Sequence, residues 1–178
     1  MLKIKRIANQ LGNTDGAEIA EAAMVLPLVF MLLLGIVWFG RAFNIYSTIQ
    51  QAAQQGAIAA ARDTCATCAG GNDPTNNATA AASAVVAVMN ASNLDTSQIQ
   101  AWQPHFSSCP TPPAPAGLCS NKGPNVWVCT SVLLNSLSQP AQCGTVVSFQ
   151  YPFTFYVPYT SLNHQVMMSA QAQSRMEN

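Results

Sequence analysis

Glu21 stands at the mouth of an otherwise uncharged apolar run from Ala22 to Gly40, and Gly16 lies five residues upstream. A carboxylate in such a place needs a neutralising partner, because a bare charge is poorly tolerated where lipid begins. Scission after Gly16 would put a new α-ammonium group on Ala17, one helical turn from Glu21 and on the same helix face. A cationic terminus and its carboxylate would then meet, on one chain or on neighbouring chains. Plainer chemistries remain open at the same residues. Glu21 can serve as a helix-dipole partner near the headgroups, and Gly16 can be a flexible residue ahead of a helix. An ordinary secretory signal cut after the apolar run is a third option. It finds no Ala-x-Ala site shortly after Gly40, and Glu18 and Glu21 are out of place in a signal n-region.

The second reactive set is sulfur. Cys65, Cys68, Cys109, Cys119, Cys129 and Cys143 all lie beyond the apolar run. An even number in an exported segment reads as up to three disulfides, which six cysteines can pair in 15 ways. Pairing of neighbours along the chain gives Cys65–Cys68, Cys109–Cys119 and Cys129–Cys143. The Cys65-x-x-Cys68 spacing also suits redox or metal chemistry. A thioredoxin-type pair, however, opens a helix after a strand, whereas this pair comes after a helical pattern. Zinc would need a second close pair, and the other cysteines are ten or more residues apart. No histidine comes directly after Cys68, which excludes covalent haem attachment. Neither His105 nor His164 belongs to a catalytic motif, and there is no nucleophile elbow or phosphate-binding loop. No enzymatic activity, cofactor or metal is expected. Asn77 and Asn90 each open a glycosylation sequon, a pattern common by chance.

The chain has 178 residues, zero formal charge and only 8% charged residues, against about 25% for an ordinary soluble domain. After Gly16 the basic residues Arg41, Arg62, Lys122 and Arg175 are scattered singly, so no nucleic-acid groove is expected. The run Ala22–Gly40 would rise roughly 28 Å as a helix, close to the hydrocarbon thickness of a bilayer. Pro27 within it is tolerated better in lipid than in water. Lys3, Lys5 and Arg6 precede the run, which places the N-terminus in the cytoplasm and exports the residues after Gly40.

The elements that must position these groups can be read from periodicity. Small and apolar residues recur at Phe43, Ile45, Ile49, Ala52, Ala53, Gly56, Ala57 and Ala60, alternating with Asn, Ser, Thr and Gln. One helix from about Ala17 to Arg62 is predicted, capped by Thr14 or Asp15, its second half docked on a globular head. Residues 63–74 read as a loop and Thr75–Asn90 as a second helix. Ile99–Phe106 reads as a short strand. Residues 107–124, with five of the 11 prolines, read as a loop bracketed by Cys109 and Cys119. Val126–Cys129 is a predicted strand, continued by Val132–Leu134 as strand or short helix. Val146–Tyr159 alternates Val147, Phe149, Tyr151, Phe153 and Phe155 with mostly polar neighbours, a sheet face suited to the docked helix. Pro152 and Pro158 on its other face suggest an edge strand or a bulge. A turn at 160–163 would close a hairpin with a last strand, His164–Arg175. The fold class is α+β: a long N-terminal helix packed on a small antiparallel sheet, with an alanine-rich second helix and disulfide-stapled loops. The domains are a leader at 1–16, the helix at 17–62 with its span at 22–40, and an exported head at 63–178.

The segment from Gly16 through Glu21 to Pro27, the apolar span, the Phe39-Gly40-Arg41 ending and the later Gly56-Ala57 pair together resemble the TadE-like family. These are minor pilins or pseudopilins of tight-adherence (Flp, type IVb) pilus systems. The resemblance covers about residues 15–62; it lacks the family's frequent aromatic after the glutamate, where this chain has Ala22. It implies cleavage between Gly16 and Ala17 by a prepilin peptidase at the bacterial inner membrane, and a need for Glu21 in processing or assembly. It implies as partners other pilin and pseudopilin subunits and the inner-membrane platform with its motor ATPase. The expectation is a membrane-anchored assembly subunit. The alternative is an unprocessed single-span anchor displaying a disulfide-stabilised binding domain.

Overall fold

The computed structural model describes residues 14–62, 74–109, 119–135, 142–155 and 164–175. The chain divides into two units, Met1–Ala42 and Phe43–Asn178. Helix α1, Thr14–Arg62, begins in the first unit and ends in the second. It starts three residues before the expected Ala17.

In the second unit, α1 buries Ile49, Ala52, Ala53, Ala57 and Ala60, with Gly56 on the same stripe. That is the spacing of one face of a helix, and its residues are small enough for close approach. Phe43, expected on this face, is 64% exposed instead. Helix α2, Pro74–Ala91, has its proline in the first turn, where a missing N–H is harmless. It buries Ala78, Ala81, Ala82, Val85 and Met89. Asn93 ends it with φ of 55°. Its N–H donates to the Asn90 carbonyl at 3.0 Å and the Leu94 N–H donates to the Met89 carbonyl at 2.9 Å. This left-handed cap satisfies carbonyls that the helix would otherwise leave bare, and Leu94 folds back onto the core.

The strands form one antiparallel sheet in the order β1-β2-β3-β4: Cys119–Lys122, Val126–Asn135, Gln142–Phe155 and His164–Arg175. Gly123 and Asn125, with φ of 60°, make the turn that sets Lys122 opposite Val126. Between β2 and β3 the register shifts twice, and Ser131 has φ of 55° at the first shift. The β3–β4 hairpin runs without a slip from Gly144 opposite Arg175 to Phe155 opposite His164. One sheet face carries Val126, Val128, Val147, Phe149, Tyr151, Ala170 and Ala172 into a core shared with α2 and the second part of α1. The predicted aromatic row is therefore core: Phe149, Tyr151 and Phe153 are all buried. Phe153 meets Phe155 edge to face, with ring centroids 4.6 Å apart.

The other face has its own smaller cluster of Cys129, Val132 and Val146 under Phe106, Cys119 and Leu134. This cover explains two departures from expectation. Residues 99–106 do not form a strand. Gln100 exchanges both backbone hydrogen bonds with Gln150 at 2.9 Å, after which the chain leaves the sheet edge. It passes Ser148, whose hydroxyl donates to the Trp102 carbonyl at 2.9 Å. Pro104 has no N–H for a ladder. The segment rejoins the sheet on the outer side of β2, where Cys109 donates to Ser131 and Leu133 donates to Ser107. Residues 107–124 are likewise not all loop, since Ser108 bridges Val132 and β1 begins at Cys119.

Pro152 does not make β3 an edge strand, because β3 lies between β2 and β4. Gln150 turns its backbone groups to the β2 side, so by alternation Pro152 does too. There β2 has already ended, its first pair being Trp127 with Ser148. The missing N–H faces a place with no ladder to serve.

Two disulfides join described residues, Cys109–Cys143 and Cys119–Cys129. They replace the expected Cys109–Cys119 and Cys129–Cys143 pairs. Cys119 and Cys129 lie directly opposite across β1 and β2, with Cα atoms 4.0 Å apart. Cys129 directs its backbone groups towards Val146 of β3, so the cysteines form a non-hydrogen-bonded pair, where opposed side chains come closest. Cys109 and Cys143 flank the irregular part of β2 with Cα atoms 6.0 Å apart. The expected Cys65–Cys68 pair, the loop 63–73, Pro158 and the turn 160–163 lie outside the described residues.

Candidate functional site

Alanine, leucine and glutamate dominate the first part of α1, and all favour helix. The Gly16–Ala17 peptide bond lies in its first turn. The first four N–H groups of a helix lack intrahelical partners, so this turn opens at little expense compared with one further in. Glu18 and Glu21 lie on adjoining turns, and both are exposed.

From Ile19 to Val37 the side chains are exposed, as is Phe39, while Trp38 is half-buried. Ile19 is 71% exposed, Met24 82% and Phe39 74%. The exposure runs all round the helix, through Val25, Leu28, Phe30 and Met31. A helix apolar on every side has no surface suited to water. Among the described residues this is the one helix long and apolar enough to cross a membrane. Pro27 sits inside it without ending it. Gly35 and Gly40 have open space beside them, so a second helix can come close at either point. At its far end the Arg41 guanidinium lies 5.9 Å from the centre of the Trp38 ring. A cation over an amphipathic ring is the pairing expected where oil gives way to water.

The chemistry available here is that of charge placement and helix packing. Glu21 is exposed one turn beyond Ala17 on the same helix. The other described sequence candidates belong to the second unit. Cys109, Cys119, Cys129 and Cys143 are consumed in the two head disulfides. His105 is exposed in the segment behind the sheet, and His164 opens β4. Of the two sequon asparagines, Asn77 is buried in the α2 core face and Asn90 is exposed.

The head has one charge arrangement that sequence reading missed. Asp95 accepts from the Ser97 hydroxyl at 2.7 Å and the Ser97 N–H at 2.9 Å, with the Gln98 amide at 3.3 Å. These bonds hold its carboxyl below the ordinary value of 3.8, the hydroxyl contributing most. The Asp-x-Ser spacing ahead of a short 3-10 turn, Thr96–Gln98, was the available signal. Burial raises the Tyr151 phenol above 10.0, opposed by a hydrogen bond from the Asp95 backbone and aided by the Asp95 charge.

The molecule is thus an α+β protein with an exposed apolar N-terminal helix and a disulfide-bonded antiparallel head. The family model described as TadE-like protein matches residues 16–57. The match takes in Gly16, Glu21, the whole apolar run and the Gly56-Ala57 pair, and it ends before α2. The chain therefore carries an N-terminal segment similar to TadE-like proteins over residues 16–57. No curated protein and no solved structure matched the chain.

Proposed function

We propose that this protein is a membrane-anchored, minor pilin-like (pseudopilin) subunit acting in assembly of a tight-adherence, type IVb pilus. The observation that carries the reading is the coincidence of the TadE-like match with a helix exposed and apolar on every side. A prepilin peptidase cuts between Gly16 and Ala17 on the cytoplasmic face of the bacterial inner membrane. The basic leader holds the precursor at the anionic leaflet until then. Its removal leaves an ammonium group on Ala17 and a carboxylate on Glu21, one turn apart. The pair, within one subunit or between neighbours, registers the helix against other pilin and pseudopilin helices. Those helices bury one another as they leave the lipid. Recruitment runs through the inner-membrane platform and its motor ATPase, and the role is structural, without catalysis.

N-terminal sequencing of the membrane-extracted protein, with intact mass, tests the reading. A mature chain beginning at Ala17, lost when the peptidase is deleted, is the expected result. A chain that keeps residues 1–16 and still supports pilus growth would refute it. That outcome would favour an unprocessed anchor for the disulfide-bonded head.

A further inference from the structure

We infer that the head is a substrate of a thiol–disulfide isomerase, a partner bearing a reactive cysteine thiolate beyond the inner membrane. The inference rests on the membrane-anchor reading above, in which the residues after the span are exported.

The pairing is nested: Cys109–Cys143, with a sequence separation of 34, encloses Cys119–Cys129, with a separation of 10. Export in step with synthesis delivers about 5–20 residues per second, so Cys109 waits roughly 2–7 s for Cys143. Until then, Cys119 and Cys129 are the partners among these four that Cys109 can find, and both are wrong. A ten-residue loop closes in about 0.1 μs or less. Contact is therefore not limiting, and the bond that forms depends on which thiols have already emerged. Prolines at 110, 112, 113 and 115 stiffen an unfolded chain between Cys109 and Cys119. They divert Cys109 towards Cys129 without bringing the right partner forward.

A wrong bond leaves a recognisable mark. In the native head the Cys109 N–H donates to the Ser131 carbonyl at 3.0 Å, and the Leu133 N–H donates to the Ser107 carbonyl at 2.9 Å. Cys143 stands opposite Leu133 in the next strand. This docking brings Phe106 over Cys129, Val132 and Val146. A Cys109 bonded elsewhere keeps the segment off β2, and that apolar cluster stays in water for a partner with an apolar cleft to hold.

Two wrong bonds also leave these four cysteines with no thiol to begin an exchange. Take Cys109–Cys119 together with Cys129–Cys143. The isomerase thiolate attacks Cys109 Sγ and releases Cys119 as a thiolate. Cys119 attacks Cys129 Sγ, which forms one native bond and releases Cys143. Cys143 then attacks Cys109 Sγ, which forms the other native bond and returns the isomerase thiolate. Each exchange breaks one S–S bond and makes one, with no net oxidation. The bonds themselves are first made by an exported thiol oxidase, whose own disulfide takes two electrons and two protons for each.

The test follows the full chain in its own cells, with and without their exported thiol–disulfide isomerases. After a pulse of label, samples are quenched in acid and alkylated, and non-reducing peptide mapping reads the partner of Cys109 over seconds to minutes. Early chains are expected to carry Cys109 bonded to Cys119 or Cys129, replaced later by Cys109–Cys143. Without the isomerases the wrong bonds should persist in most chains. A Cys119→Ser, Cys129→Ser double variant lacks both wrong partners, so its Cys109–Cys143 bond should form equally in both strains. Native pairs from the first time point, or conversion at one pace in both strains, would overturn the inference and spare the anchor. So would an isomerase requirement that persists in the double variant. Four reduced thiols in the membrane-extracted chain would overturn the exported head as well.

Discussion

Gly56 of α1 abuts Val85 of α2: a Cβ on Gly56 would stand 2.8 Å from the valine Cγ2 and 3.2 Å from the Ala81 carbonyl. Both neighbours are buried, so neither can move freely. Alanine is the better helix former by about 1 kcal/mol. Overpacking a tight core contact costs about 1–3 kcal/mol. Gly56→Ala should therefore destabilise the head by up to about 2 kcal/mol, and Gly56→Val should do so more severely. Urea unfolding of the full chain in detergent, monitored by near-ultraviolet circular dichroism, measures both. A midpoint raised in the alanine variant, or unchanged in the valine variant, would contradict the close approach.

Of the two disulfides among the described residues, Cys109–Cys143 closes the longer loop, with a sequence separation of 34 against 10 for Cys119–Cys129. Loop-closure entropy gives roughly 4 kcal/mol for the first and roughly 3 kcal/mol for the second. Replacing Cys109 and Cys143 together by serine should lower stability more than replacing Cys119 and Cys129. Non-reducing peptide mapping should recover both pairs and no Cys109–Cys119 peptide.

The depressed Asp95 carboxyl makes folding sensitive to acid. Its folded-state pKa lies below the unfolded value, so its contribution is complete above about pH 4 and fades as pH falls through the folded pKa. Asp95→Asn should flatten the thermal-stability profile below pH 4 and leave its slope at pH 6–7 unchanged. Tyr151 works in the opposite sense. Its pKa is raised, so its contribution is present below pH 10 and is lost as pH climbs through the higher folded value. Phenolate absorbance that develops later than for free tyrosine, and disappears in Tyr151→Phe, would register this.

Thr145 is fully buried on β3, and its hydroxyl has no hydrogen-bond partner among the described residues. Removing a polar atom that makes no bond relieves a desolvation penalty while keeping the shape. Thr145→Val should thus be neutral or stabilising by up to about 1 kcal/mol. A loss beyond that range on thermal denaturation would reveal a bonded hydroxyl.

Glu21 makes the sharpest functional forecast. Glu21→Gln removes the charge and keeps the size, so membrane insertion should be retained while surface filaments disappear. Carbonate extraction and counts of sheared pili measure the two properties separately. Normal piliation by the variant would exclude a registering role for the carboxylate.

The helices were legible because their periodicity outlasts local ambiguity. Small residues at helical spacing from Ile49 to Ala60, and Pro74 ahead of an alanine run, mark faces and starts that the fold keeps. Phe43 emerged into solvent because it stands roughly 100° round the helix from the centre of the stripe formed by Ile49, Ala53, Ala57 and Ala60, so it is not on the buried face. The last hairpin was legible from alternation, down to the His164–Arg175 boundaries. The disulfides were not, because nearness in sequence ignores register. Cys119 and Cys129 stand symmetrically about the Gly123–Asn125 turn, a signal obscured by the proline-rich run just before β1. Cys109–Cys143 depends on two register shifts in β2 that no propensity encodes. Glu21 and Gly16 were read from charge and spacing alone, and the TadE-like match begins at Gly16.

Pro152 also bears on solubility at high local concentration. Past Gln150 the margin of β3 is bare of β2, and an extended chain that displaced the cover over the buried Pro152 could try to zip onto it. Pro152 offers such an intruder its carbonyl as acceptor and no N–H donor, so the zipper stalls after one rung. Crowded heads can thereby stand shoulder to shoulder without fusing into a continuous ribbon.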